Sequence, residues 1–173
     1  MQVRNMARCA LLAALTALCA WLSIPVPPVR FTLQTFAIAL GLLALGGKWG
    51  MGAVGLYLLL GIVGLPVFSG FRGGPGALLG TTGGYLSGFL ACALVYWLLT
   101  ALFPSKKALA MAAGLLTCYC FGTVWYYNVY IENGNAAGLW LILAKCVLPY
   151  LLPDGIKLLL ALVLAKKLRR FVY

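Results

Sequence analysis

Asp154 and Lys157 stand three residues apart in an apolar stretch near the C-terminus, and that spacing puts a carboxylate and an ammonium on one face of a helix. Such a pair can exchange protons as acid and base, bind a polar ligand, or neutralise itself as a packing device. The rest of the sequence narrows the choice. Glu132 is the only other acid and there is no histidine among the 173 residues. The commonest general base and metal ligand is therefore missing, and a two-carboxylate hydrolytic or two-metal site has no residues to build it. Cys9, Cys19, Cys92, Cys118, Cys120 and Cys146 are scattered without Cys-x-x-Cys spacing and read as small buried hydrophobes. No metal and no cofactor is expected. A buried ion pair adds little stability over apolar packing, which favours ligand recognition over a purely structural role. A small intramembrane enzyme using Asp154 and Lys157 as acid and base is the weaker alternative.

The elements that must position this pair are membrane helices. The chain is 64% hydrophobic and only 9% charged, whereas about a quarter of a soluble domain is charged. The expected fold is an all-α integral membrane protein, one domain over residues 1–173, with six transmembrane helices in a bundle. Thirteen Lys and Arg against two acids give a net charge of +11. They fall at span ends, as the positive-inside rule expects, so the partner they indicate is the lipid bilayer and not a nucleic acid. Residues 1–24 read as a retained first span, their apolar run being longer than that of a signal peptide. The following spans are expected over residues 32–45, 49–64, 84–103 and 108–127. The sixth begins near Pro153 and ends at Lys166-Lys167-Leu168-Arg169-Arg170. Six spans put both termini in the cytoplasm, with Lys145 on a short helix at the outer rim. Pro153 suits a helix start, so Asp154 is expected in a first turn, where a carboxylate complements the dipole. Counting back from Lys166 places it roughly 18 Å up the helix, in the outer half of the membrane. An ionisable residue at that depth faces the bundle interior or water.

Residues 64–85 contain Gly64, Gly70, Gly73, Gly74, Gly76, Gly80, Gly83 and Gly84 with Pro66 and Pro75. No regular helix is expected there. Irregular backbone cannot lie bare in hydrocarbon, so the segment is read as an extracellular loop forming a wall or lid of a ligand site. Trp125, Tyr126, Tyr127 and Tyr130 form an aromatic cluster that an interfacial belt explains by default and a ligand-stacking surface explains more sharply. Ala10 and Ala14, like Ala13 and Ala17, have the small-x-x-x-small spacing that admits a second helix, within the bundle or from a partner.

Five blocks occur in order: Ile24-Pro25-Val26-Pro27, Phe31-Thr32-Leu33-Gln34-Thr35-Phe36, Gly64-Leu65-Pro66-Val67-Phe68-Ser69-Gly70, Thr82-Gly83-Gly84-Tyr85-Leu86, and Leu152-Pro153-Asp154 with Lys157. Together they resemble the biotin-specific substrate-binding (S) components of energy-coupling factor transporters, the BioY family, over almost the whole chain. Two departures are Thr81, where the family has Pro, and Pro153-Asp154-Gly155, where the family has Pro-Gly-Asp. The resemblance implies a six-helix protein that captures biotin on the outer side, with an S component for another vitamin as the alternative within the same class. It hands the biotin inward in complex with a transmembrane (T) component and two ATPase subunits. It also turns the alanine face of the first helix (Ala10, Ala13, Ala14, Ala17) toward the T component. No phosphate-binding loop motif occurs, so ATP hydrolysis would belong to those partners. In this reading Asp154 accepts ureido N–H bonds, and Lys157 keeps Asp154 ionised and donates to the ureido oxygen. The N–H groups near Gly73, Gly74 and Gly76 receive the carboxylate with Arg72. Gln34, Phe68, Thr82, Tyr85 and Trp125 complete the expected substrate-binding set.

Overall fold

The computed structural model describes residues 2–26, 29–132 and 138–172. Its elements are α1 (Gln2–Trp21), β1 (Ser23–Ile24), β2 (Phe31–Thr32), α2 (Gln34–Leu45), α3 (Gly47–Ile62), α4 (Pro75–Leu79), α5 (Gly83–Leu102), α6 (Lys107–Glu132), α7 (Leu139–Cys146) and α8 (Leu148–Val172). α2 is apolar on nearly every side, and a helix of that kind must be buried all round. Residues Ala37 to Leu45 are all buried, with α1, α3 and α8 packed about them. α5 and α6 form the closest helix pair. A Cβ on Gly114 would lie 2.8 Å from the Cys92 carbonyl oxygen, and one on Gly88 would lie 3.1 Å from that of Cys118, so glycine lets these two backbones approach.

Among the described residues four stretches are long and apolar enough to cross a membrane: Gln2–Trp21, Gly83–Leu102, Lys107–Ile131 and Trp140–Leu168. Leu98, Leu116, Leu159, Leu160 and Val163 on these stretches point outward, as lipid-facing side chains do. The chain is a multi-pass membrane protein. Two further apolar helices, α2 and α3, are shorter than these four. α2 and α3 have 12 and 16 residues, or about 18 and 24 Å of helix against a hydrocarbon core of about 30 Å. Gly46, at φ +82, separates them, its N–H capping the Leu42 carbonyl.

Three sequence expectations are corrected. First, the glycine-rich segment is not wholly irregular, because Pro75–Leu79 forms one short helix with Pro75 in its first turn, where its missing N–H costs nothing. Second, α8 starts at Leu148 rather than at Pro153. Pro149 occupies the tolerated first turn and Pro153 lies inside the helix, so Asp154 is its seventh residue and gains nothing from a helix start. Third, Ala13 and Ala17 are buried in the chain's own core, while Ala10 and Ala14 lie on the exposed face of α1. At about 100° per residue the four alanines fall within about 100° of arc, and the edge of the packed face runs between the two pairs. α6 also continues past residue 127 to Glu132, taking Tyr130 into the helix. Asn133, Gly134 and Asn135, expected as a turn, and the side chains of Arg169 and Arg170 lie outside the described residues.

The segment between α3 and α5 is held against protein at several points. Phe68 is 2% exposed, lies under Gly61, and meets Tyr57 edge-on at 5.5 Å. The Tyr57 hydroxyl donates to the Val67 carbonyl at 3.2 Å and accepts from the Gln34 amide at 2.6 Å. The Gly74 N–H donates to the Gly61 carbonyl at 2.7 Å. A Cβ on Gly73 would lie 2.2 Å from the Leu65 carbonyl oxygen, whereas one on Gly76 would meet nothing within 4 Å. Gly73→Ala should therefore lower the melting temperature of the purified protein, the backbone shift costing about 1–3 kcal/mol as overpacking does. Gly76→Ala, inside a helix with free space, should leave it unchanged or slightly raised.

Candidate functional site

Asp154 and Lys157 are each 6% exposed, and charges so placed need close partners. The Lys157 ammonium donates to Asp154 Oδ1 at 2.7 Å and to the Thr32 carbonyl at 2.7 Å, with a longer contact of 3.4 Å to Thr35 Oγ1. It also lies 4.0 Å from the centroid of the Phe31 ring, a cation–π position. The Thr35 hydroxyl donates to Asp154 Oδ1 at 2.9 Å, and the Tyr119 hydroxyl donates to Asp154 Oδ2. A carboxylate offers about four acceptor sites. Three are taken here, leaving one on Oδ2. Lys157 likewise has one N–H directed only at the longer Thr35 contact.

These groups border a cavity of about 670 Å³, measured with its open mouth. α2 contributes Gln34 and Thr35; α5 and its N-cap contribute Thr82, Tyr85, Leu86 and Phe89. α6 supplies Leu115, Cys118 and Tyr119, α7 supplies Cys146, and α8 supplies Tyr150, Asp154 and Lys157. Val29, Arg30 and Thr32, from the connection before α2, and Ser69, from the glycine-rich segment, complete the lining. Most of the wall is apolar or aromatic, with polar groups at a few points. The Tyr150 hydroxyl donates to the Val29 carbonyl and its ring stacks on Phe31 at 6.3 Å, fixing that connection against α8. Among the described residues Arg30 makes no hydrogen bond or ion pair, and the buried Tyr85 hydroxyl has no hydrogen-bond partner. The cavity thus carries one carboxylate and two cations, a net charge of +1. No cluster of His, Cys, Asp and Glu able to hold a metal occurs among the described residues.

A model of the BioY family matches residues 1–173. The chain belongs to the BioY family. It is 38% identical over 173 residues to a biotin transporter BioY of Thermotoga maritima, covering 97% of each chain. It is 34% identical over 169 residues to a probable biotin transporter BioY of Pyrococcus horikoshii, covering 98% of each. A crystal structure at 2.1 Å of the S-component for biotin from an ECF-type ABC transporter superposes with a TM-score of 0.85. That match has 26% identity and covers 98% of this chain and 92% of the other.

Within this BioY-family chain, Gln34, Thr82, Tyr85, Asp154 and Lys157 of the expected set line the cavity, and Phe68, Arg72, Gly73, Gly74, Gly76 and Trp125 do not. Arg72 is exposed and donates from Nε to the Ser69 carbonyl at 3.3 Å. The Trp125 indole donates to the Gly80 carbonyl at 3.0 Å and covers Gly84, tying the end of the glycine-rich segment to α6. Gln34 lines the cavity while bridging Thr32 and Tyr57. Thr35, Tyr119, Arg30 and Tyr150 emerge only in three dimensions. Thr35 and Tyr119 are 119 and 35 residues from Asp154 in sequence, and no spacing rule connects them. A mid-helix Tyr in an apolar span was the one available signal for Tyr119.

The pair's energetics are open to a direct check. Asp154→Asn strands Lys157 without its counter-charge and should destabilise the unliganded protein by about 3–5 kcal/mol. Adding Lys157→Met should recover much of that loss, read as melting temperature in detergent.

Proposed function

We propose that this chain captures biotin at the outer side of the cell membrane and passes it inward as the S component of an energy-coupling factor transporter. The observation that carries this reading is the charge balance of the cavity. The Asp154–Lys157 pair neutralises itself, and Arg30 remains a cation with no ion-pair partner among the described residues, beside apolar and aromatic side chains. Biotin has a neutral ureido ring, an apolar ring and chain, and one terminal carboxylate, so its charge complements a site of net +1. Its ureido N–H finds the free acceptor position on Asp154, and its ureido oxygen the underused N–H of Lys157. The carboxylate is assigned to Arg30 rather than to Arg72 and the loop glycines. Gln34, Thr82 and Tyr85 line the space between, while Phe68, Gly73, Gly74 and Trp125 hold the glycine-rich segment in shape and Gly76 takes no part in the site.

In this reading the protein binds and does not catalyse; the pair recognises its ligand without moving a proton. α2 and α3 count as the second and third of six membrane-embedded helices. The glycine-rich segment then lies outside and both termini lie in the cytoplasm. The exposed Ala10 and Ala14 face of α1 is assigned to the T component, and two ATPase subunits supply the energy that this chain has no motif to harvest.

Purified protein titrated calorimetrically should bind biotin and not the cationic thiamine or the larger riboflavin; binding of either in place of biotin would overturn the assignment. Arg30→Gln should weaken biotin by about 1.5–3 kcal/mol, the worth of a hydrogen bond to a charged group. The same variant should bind biotin methyl ester as the unaltered protein does. Ala14→Trp should abolish cellular uptake while leaving biotin affinity intact, because it changes a face that the cavity does not use.

A further inference from the structure

We propose that Trp21 and Phe71 form an aromatic latch that ties the end of α1 to the turn bordering the cavity, so that the placement of α1 governs how readily the cavity opens. The inference rests on reading the cavity as the ligand site. Trp21 is the last residue of α1. Its indole N–H donates to the Pro66 carbonyl at 2.8 Å, and its ring stacks on Phe71 at 5.1 Å with 28° between planes. Phe71 lies in a tight turn closed by the Phe68 N–H donating to the Arg72 carbonyl at 2.9 Å.

That turn is strained where the latch grips it. Phe71, at φ +56, is the only non-glycine residue with positive φ among the described residues. A bulky side chain rarely adopts this conformation, and it persists where the surroundings impose it. Trp21 is the ring on which Phe71 stacks. The next residue back, Gly70, has φ +74, and a Cβ there would come within 2.9 Å of the Arg30 guanidinium. Arg30 and Ser69 both line the cavity. A continuous run of contacts therefore leads from α1 through Trp21 and Phe71 to Gly70, Arg30 and Ser69.

The two ends of the turn differ. Phe68 is locked in the core at 2% exposure, and Gly73 and Gly74 are packed on the Leu65 and Gly61 carbonyls. Trp21 and Phe71 are 37% and 64% exposed. Separating them opens no core, so residues 69–71, between the bonded Phe68 and Arg72, can swing on the fixed flanks. A tilt of α1, whose outer face is left exposed by the described residues, would draw Trp21 off Phe71 and let the strained turn relax away from Arg30. The competing account is that both rings merely sit at the membrane interface.

Cys118 and Cys146 border the cavity and are buried, which makes them reporters that need no ligand. Full-length protein in nanodiscs is exposed to a charged, membrane-impermeant methanethiosulfonate, and modification of each cysteine is followed by mass spectrometry. Compared are the unaltered chain, Trp21→Leu and Phe71→Ala, the last of which removes the ring and keeps a Cβ at the strained φ. With the open turn a minor state, losing the latch should raise the labelling rates of Cys118 and Cys146 about tenfold. Unchanged rates in both variants would overturn the latch. So would an equal rise at Cys92, which is buried between α5 and α6 outside the cavity lining and reports general loosening. In a parallel arm, biotin association and dissociation should both quicken in the variants with the dissociation constant nearly unchanged; a change confined to dissociation would assign Phe71 to ligand contact instead. If the unaltered chain binds no biotin, the ligand reading fails, and the labelling arm still decides the latch.

Discussion

Burying Asp154 and Lys157 together is the constraint from which the site follows. Neither charge tolerates a low-dielectric interior without hydrogen bonds that complete its coordination. The partners come from three directions: Thr32 in β2 with Thr35 at the start of α2, Tyr119 on α6, and the pair itself on α8. Satisfying the pair therefore ties α2, α6 and α8 at one level of the bundle. The cost of desolvation is offset for most of the donors and acceptors, and the few left over face a cavity. A ligand with complementary polar groups can complete the set, which makes a stabilising contact and a recognition contact out of the same atoms.

The short central helix makes this geometry possible. α2 is buried along its length and begins at Gln34, next to the residues that cap the Lys157 ammonium. Gln34 braces Tyr57, Tyr57 holds the Val67 carbonyl, and Phe68 plugs the space beneath Gly61. The glycine-rich segment thus has its shape imposed from α2 and α3 at one end and from Trp125 on α6 at the other. Its glycines serve mainly where backbones touch or where φ is positive, as at Gly73 and Gly74. The cavity meets this segment at Ser69, one residue past the buried Phe68 anchor.

Much was legible in the residue order alone. A chain this apolar with charges at span ends must lie in a membrane, because transfer free energy depends on composition and run length. The Asp154–Lys157 contact follows from helical spacing, and the absence of His and of a second nearby acid removes most hydrolytic chemistry. Ordered blocks of Gly, Pro and polar residues carry the BioY resemblance. Other features are set by contacts between distant segments. Pro153 reads locally as a helix start, yet packing carries α8 one turn further back. Ala10, Ala13, Ala14 and Ala17 look equivalent by spacing, and only the neighbours of α1 decide that two face inward. Arg72 and Arg30 are alike as residue types; the fold brings Arg30 to the cavity and leaves Arg72 outside it. Thr35 and Tyr119 reach Asp154 because three helices converge. Local sequence encodes helix, turn and burial, whereas the partners of a buried charge depend on how whole helices pack.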